Sequence, residues 1–221
     1  MSRLLRSVFL ASCALALTLP ASGFAAAGEK PNAQHEQAIQ NPSGRFVQEL
    51  GDKAIQIVAD KGQGAEQRNE KFTTLLSTYF DLKTIGRFVI GRSWNSATPE
   101  QQTEYMRLFE ALVIKNYGAR MTLYTGEGFV VTGTRTESEI DTTVNSQITH
   151  PDGSAPTVID WRVRQKDGKT GVIDVIVEGV SLSVTQRQEY AAVIQNNGGQ
   201  IEGLLKAMRD QLNATPVSVK K

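Results

Sequence analysis

The sequence predicts an α+β domain: a curved antiparallel sheet packed against a helical lobe. Three observations carry this. Apolar residues recur at helical spacing through the first half of the chain, alternate with period two in the middle, and return to helical spacing at the end. Helices segregated in sequence from a run of strands are the mark of that class.

The first 27 residues precede the domain. Arg3 and Arg6 form a positive n-region, Val8 to Leu19 an apolar run, and Ala25-Ala26-Ala27 a small-residue cleavage site. The run is shorter than the roughly 20 residues a membrane span needs, so the segment reads as a cleaved Sec-type signal peptide that takes the protein across the membrane. Cys13 lies inside the apolar run and not at its end, which argues against a lipoprotein signal. Residues 28–42, polar and broken by Pro31 and Pro42, read as a mobile leader. The domain then occupies 43–212, and 213–221 reads as a flexible tail.

From Ser43, taken as an N-cap, Phe46, Val47, Leu50, Ala54, Ile57 and Val58 mark the first helix, which Gly62-Gln63-Gly64 stops. A second runs from about Ala65 to Phe80, with Phe72, Leu75, Leu76 and Tyr79 on one face. A short third, from Asp81, carries Leu82, Ile85, Phe88 and Val89. Thr98-Pro99-Glu100-Gln101 has the residues of a capping box, with proline at the first helical position. The helix it opens has Tyr105, Met106, Phe109, Leu112, Val113 and Tyr117 in a stripe that extends toward Met121 and Tyr124.

The strand region opens after Gly128. Thr142, Val144, Ser146 and Ile148 share one face with Ile140, and Asp141, Thr143, Asn145 and Gln147 share the other. Pro151-Asp152-Gly153-Ser154 turns the chain into a strand with Ile159, Trp161 and Val163 inward and Asp160, Arg162 and Arg164 outward. Lys166-Asp167-Gly168-Lys169 turns it again, and Ile173, Val175 and Val177 are expected on the buried side of the next strand, with Asp174 and Glu178 beyond it. The final segment starts near Val184, breaks at Asn197-Gly198-Gly199, and resumes as an amphipathic helix through Ile201, Leu204, Leu205, Met208 and Leu212.

Composition excludes much chemistry. Cys13, the one cysteine, leaves with the signal, so the mature chain has no thiol and no disulfide. His35 and His150, its two imidazoles, are far apart and read as satisfied surface or turn histidines; no metal, Cys–His or cofactor site is expected. With 24 Lys+Arg against 23 Asp+Glu, the charge does not make a nucleic-acid-tracking surface. Asp160 and Asp174 are the enzyme candidates, as carboxylates whose pKa a curved sheet could raise by burial. Their alternation with Arg162 and Arg164 instead favours a wet face of cross-strand pairs. Gly179-Val180-Ser181-Leu182-Ser183 lacks the second glycine of a nucleophile elbow, and Gly126-Glu127-Gly128 is too short for a phosphate loop.

The segments Phe72-Thr73-Thr74-Leu75-Leu76-Ser77-Thr78-Tyr79-Phe80-Asp81 and Gly91-Arg92-Ser93-Trp94, then Ala97 to Gln101, resemble the MlaC family of periplasmic phospholipid-binding proteins, also called the toluene-tolerance family. So do Asp174-Val175, Val177-Glu178-Gly179-Val180-Ser181-Leu182, Arg187, Tyr190, Gly198-Gly199 and Ile201-Glu202-Gly203-Leu204-Leu205, in order and spacing. The likeness runs from about Ser43 to Leu212. One departure is Gly171-Val172, where the family often has tryptophan.

The resemblance implies a non-enzymatic lipid carrier that hides acyl tails in an apolar cavity between sheet and helices. Its partners would be an inner-membrane ABC transporter with an MCE-domain subunit and an outer-membrane lipoprotein complex; the cargo would be phospholipid or, as an alternative, a hopanoid. A small-cavity enzyme using Asp160 or Asp174 is the alternative from another class. On the carrier reading the helical wall of the cavity is expected at Tyr79, Phe88, Trp94, Met106, Phe109, Val113 and Tyr117, and the sheet wall at Val144, Ile148, Trp161, Val175 and Val177. Ser181 is expected to cap the final helical segment and Arg187 to pair with an acid or face a partner.

Overall fold

The computed structural model describes residues 33–60, 62–118 and 126–214. The expected signal peptide, the start of the expected leader, the expected Met121–Tyr124 extension and the end of the expected tail lie outside the described residues. The chain forms helices α1 (Ala33–Gln40), α2 (Pro42–Ala59), α3 (Ala65–Tyr79), α4 (Leu82–Ile90), α5 (Ser93–Ser96) and α6 (Pro99–Gly118). Strands β1 (Gly128–Thr136), β2 (Asp141–Thr149), β3 (Thr157–Lys166), β4 (Lys169–Val177) and β5 (Val180–Ser181) follow, then α7 (Leu182–Asn196) and α8 (Ile201–Asn213). The α+β expectation is met.

Local chemistry explains most element starts. The Thr98–Gln101 box closes reciprocally: the Gln101 amide donates to Thr98 Oγ1 at 3.3 Å, and the Thr98 amide to Gln101 Oε1 at 3.1 Å. Asp81 caps α4 by accepting from the Thr84 amide at 2.9 Å. Ser181 caps α7 as expected, accepting from the Val184 amide at 3.1 Å. At α2 the cap is not Ser43 but Asn41, whose side chain accepts from the Ser43 amide at 2.9 Å. Pro42 thus stands at the first helical position, where its missing N–H costs nothing. Residues 33–40 of the expected leader are helical, with Ala38 buried and His35 Nδ1 2.8 Å from the Val131 carbonyl on the edge strand.

The five strands form one antiparallel meander in the order β1-β2-β3-β4-β5. Two of its turns are two-residue hairpin loops with both central residues in the left-handed region, Asp167-Gly168 (φ 52° and 72°) and Glu178-Gly179 (φ 49° and 79°). That backbone twist matches the strands it joins. β1, which the sequence reading did not delimit, is interrupted by a register shift between Val131 and Gly133 that spoils its alternation. A second shift, between Arg162 and Val163 on β3, makes Ile173 the extra residue of β4. It brings Val172, not Ile173, opposite Val163, and both valines are fully buried.

Two cores result. One joins α4, α6, α7 and α8 around Tyr105, Leu108, Leu112, Tyr190, Leu204, Leu205 and Met208. The other joins α2 and α3 to the sheet through Val47, Leu50, Phe72, Leu75, Leu76, Val131, Val144, Val163 and Val172. Val113 packs against both. No described helix is long and apolar enough to cross a membrane.

Candidate functional site: an apolar cavity between two cores

The two cores do not close completely on each other. Between them lies a cavity of about 990 Å³. α2 contributes Leu50, Gly51, Ala54, Ile55 and Val58; α3 contributes Phe72, Leu75 and Leu76; α4 contributes Leu82, Ile85 and Val89; and α6 contributes Phe109, Val113 and Tyr117. Phe129, Ile148, Ile159, Trp161 and Val175 form the sheet wall. Tyr117 lines the cavity and is 37% exposed.

The α4 wall shows how the site is built. Leu82, Ile85 and Val89 are spaced three and four apart, so one helical face fronts the cavity. Gly86 lets α6 come close: a Cβ there would sit 2.9 Å from Met106 Sδ. On the sheet, Val144, Trp161 and Val175 are in register across β2, β3 and β4. The indole Nε1 of Trp161 donates to Ser146 Oγ at 2.8 Å, and Ser146 Oγ donates to the Ile159 carbonyl at 2.8 Å. With its one polar atom satisfied inside the sheet, the indole presents carbon to the cavity. Phe80 and Phe129 meet that ring edge-on, with centroids 6.4 and 6.1 Å away.

Polar groups touch the cavity in two places. His150 Nε2 is 3.0 Å from Thr157 Oγ1, beside Glu127. On the α7 side, Asp174, Ser183 and Gln186 line the wall. Asp174 is 4% exposed. It accepts from Ser181 Oγ at 2.7 Å, Ser183 Oγ at 2.7 Å and the Ser183 amide at 3.2 Å. No group of three or more His, Cys, Asp or Glu able to hold a metal occurs among the described residues.

Of the residues named from sequence, Phe109, Val113, Tyr117, Ile148, Trp161 and Val175 do line the cavity. The other six sit elsewhere. Tyr79 turns away from it, its ring 5.0 Å from Phe46 and its hydroxyl donating to Glu49 Oε1 at 2.7 Å, and burial raises the phenol's pKa. Phe88 is on the outer face of α4, 40% exposed, with the Arg187 guanidinium 4.9 Å over its ring. Trp94 packs edge-on against Tyr105 at 6.4 Å, and Met106 against Gly86, both in the helical core. Val144 is fully buried in the sheet core, and Val177 ends β4 opposite Val180.

The expected acid–arginine pairing on a wet face does not form at either aspartate: half-buried Asp160 accepts from Asn145 Nδ2 at 2.8 Å, and Asp174 is buried. Arg164 pairs instead with Asp141. The α2 and α3 linings were legible as apolar stripes, but nothing in their spacing distinguished a cavity wall from a core.

An α+β domain with an apolar chamber between sheet and helices is, by class, one built around a cavity that suits a nonpolar ligand. Residues 48–210 match the family described as "MlaC protein", and the chain belongs to that family. Among curated relatives, the "Toluene tolerance protein ttg2D" of Pseudomonas putida is 24% identical over 173 residues, covering 75% of this chain and 78% of its own. The "Intermembrane phospholipid transport system binding protein MlaC" of Haemophilus influenzae is 24% identical over 174 residues, covering 74% and 79%. Among solved structures, a phospholipid-binding protein from Ralstonia solanacearum, in complex with a phospholipid, superposes with a TM-score of 0.67 at 24% identity, over 77% of this chain and 98% of that one. That likeness establishes the fold.

Proposed function

We propose that this protein is a periplasmic lipid carrier that moves phospholipid between the outer and inner membranes, its tails held in the cavity described above. The cavity carries the reading. Its walls are almost entirely apolar side chains around about 990 Å³, so water inside finds few hydrogen-bond partners and an apolar occupant is favoured over solvent. The H. influenzae relative, named for phospholipid transport, and the phospholipid-bound R. solanacearum protein support phospholipid as the occupant.

The energetics also define the task. Each methylene taken from a membrane into water costs roughly 0.8 kcal/mol, so a tail of about 15 costs about 12 kcal/mol and two cost about 24. That sum is beyond the practical ceiling of noncovalent affinity. A carrier therefore needs a chamber about as apolar as the bilayer, so that transfer is near balance and its partners set the direction. We assign those partners as an inner-membrane ABC transporter with an MCE-domain subunit and an outer-membrane lipoprotein complex. Phe109, Val113, Tyr117, Ile148, Trp161 and Val175 are the proposed tail contacts. Asp174 has a structural role that accounts for its burial, so no catalytic step is assigned to it or to Asp160.

Native mass spectrometry with lipid extraction, on mature protein purified from the envelope without detergent, tests this. A mass excess matching phospholipid is expected, and a hopanoid mass would change the cargo. A bare polypeptide mass that persists after incubation with lipid vesicles would overturn the carrier reading.

A further inference from the structure

We propose that the outer face of α4, continued by Arg92 and by the first turns of α7, docks this protein onto the surface of an anionic phospholipid bilayer. The inference rests on the carrier reading and adds to it the surface through which the cavity meets a membrane.

Charge is the first observation. Between Asp81 and Glu100 the chain carries Lys83, Arg87 and Arg92 and no acid. All three are exposed. Lys53 pairs with Glu49, Arg135 with Glu137, Arg164 with Asp141, Lys206 with Asp210, and Arg209 with Glu104 and Glu202. Lys83, Arg87, Arg92 and Arg187 form no ion pair with any described acid; Arg87 lies 5.1 Å over the Trp94 ring and Arg187 4.9 Å over Phe88. Four cations without an acidic partner thus gather on α4, on the turn that follows it and on α7.

Apolar exposure is the second. Phe88 at 40% and Val184 at 42% stand among these cations, Val184 one turn before Arg187 on α7. Cations interleaved with exposed apolar side chains are what a bilayer interface selects. An acidic protein partner would answer the charge alone.

Position is the third. The same two helices turn Leu82, Ile85 and Val89, and Leu182, Ser183 and Gln186, toward the cavity. Docking by their outer faces sets the lipid chamber one helix thickness from the head-group layer.

The test is flotation of mature protein with phosphatidylcholine vesicles containing or lacking phosphatidylglycerol, across a range of salt. Binding to the anionic vesicles, weakening as salt screens it, is expected. At about five-fold per cation near an anionic surface, K83Q/R87Q/R92Q should lose about 100-fold. R107Q/K166Q/K169Q, with the same change in net charge on other surfaces, should bind like the parent. Endogenous lipid in both variants, read by native mass spectrometry, should match the parent; failure of the carrier reading would show there and not in flotation. No binding of the parent to anionic vesicles at low salt, or equal losses in both triple variants, would overturn the proposal, and the first result would leave the face to an acidic protein.

Discussion

Asp174 accepts both the hydroxyl and the backbone amide of Ser183, at 2.7 and 3.2 Å, and this buckle ties the middle of β4 to the first turn of α7. Ser181 completes it, donating its hydroxyl to Asp174 at 2.7 Å while accepting from the Val184 amide at 3.1 Å. Both elements line the cavity, so the buckle holds two of its walls together.

Asp174→Ala leaves those donors without their acceptor in a site that is nearly dry. Each orphaned buried group costs roughly 1–3 kcal/mol, so a loss of about 3 kcal/mol in urea-unfolding stability is expected. Asp174→Asn, which keeps one acceptor oxygen, should lose about half as much. Equal stability of the alanine variant and the parent would show that the buckle does not hold the walls.

Gly51 allows α2 to lie against β1. A Cβ at this position would sit 2.1 Å from Phe129 Cδ1. Alanine gains about 1 kcal/mol of helix propensity over glycine, but displacing a packed ring costs typically 1–3 kcal/mol. Gly51→Ala is therefore expected to destabilise the protein slightly and to reduce bound lipid, since Phe129 moves within the cavity wall. Thermal denaturation and lipid extraction read the two effects separately.

Val113 lies on the cavity wall where both cores meet. Val113→Trp should fill the chamber, because the added ring enters existing space. Overpacking cost should stay near or below about 1 kcal/mol, against the 1–3 of a filled core, while bound lipid falls sharply. A folded variant with unchanged lipid content would remove Val113 from the wall.

Arg164 donates through Nε and Nη2 to both oxygens of Asp141, each at 2.8 Å, and these bonds hold the Asp141 carboxyl below its ordinary pKa. The folded value lies below the unfolded one, so the pair stabilises the fold above the unfolded pKa of about 3.9. That contribution is lost as pH falls through the folded value. Asp141→Asn should flatten this part of the acid limb in urea unfolding followed from pH 7 to pH 2, with little change in its shape at neutral pH.

Features set by a few adjacent residues were legible before the fold was known. The Thr98–Gln101 box, the Ser181 cap and the Asp167-Gly168 hairpin each depend on local hydrogen bonds or backbone preference, and each stands where the residues indicate. Ser43, expected as the cap of α2, lies two positions past Asn41, an equally good capping residue, and the proline between them fixes the helix start. The unexpected burial of Asp174 has a nonlocal origin, since the bulge at Ile173 and the docking of α7 change its surroundings.

By itself the sequence determined the helix–sheet–helix order, most caps and turns, and a chain whose one cysteine, Cys13, lies ahead of the domain, because composition and near-neighbour chemistry decide these. The tertiary structure alone decided which apolar groups face a hollow. Phe88 and Val89 are adjacent and both apolar, yet one lies outside under Arg187 and the other lines the cavity. Tyr79 and Leu76 share a helical stripe, yet only Leu76 reaches the chamber. The physical reason is that burial removes an apolar side chain from water equally well against a core or a chamber wall. Periodicity records which side chains are buried, and the packing of distant elements determines where the protein interior stops short of closing.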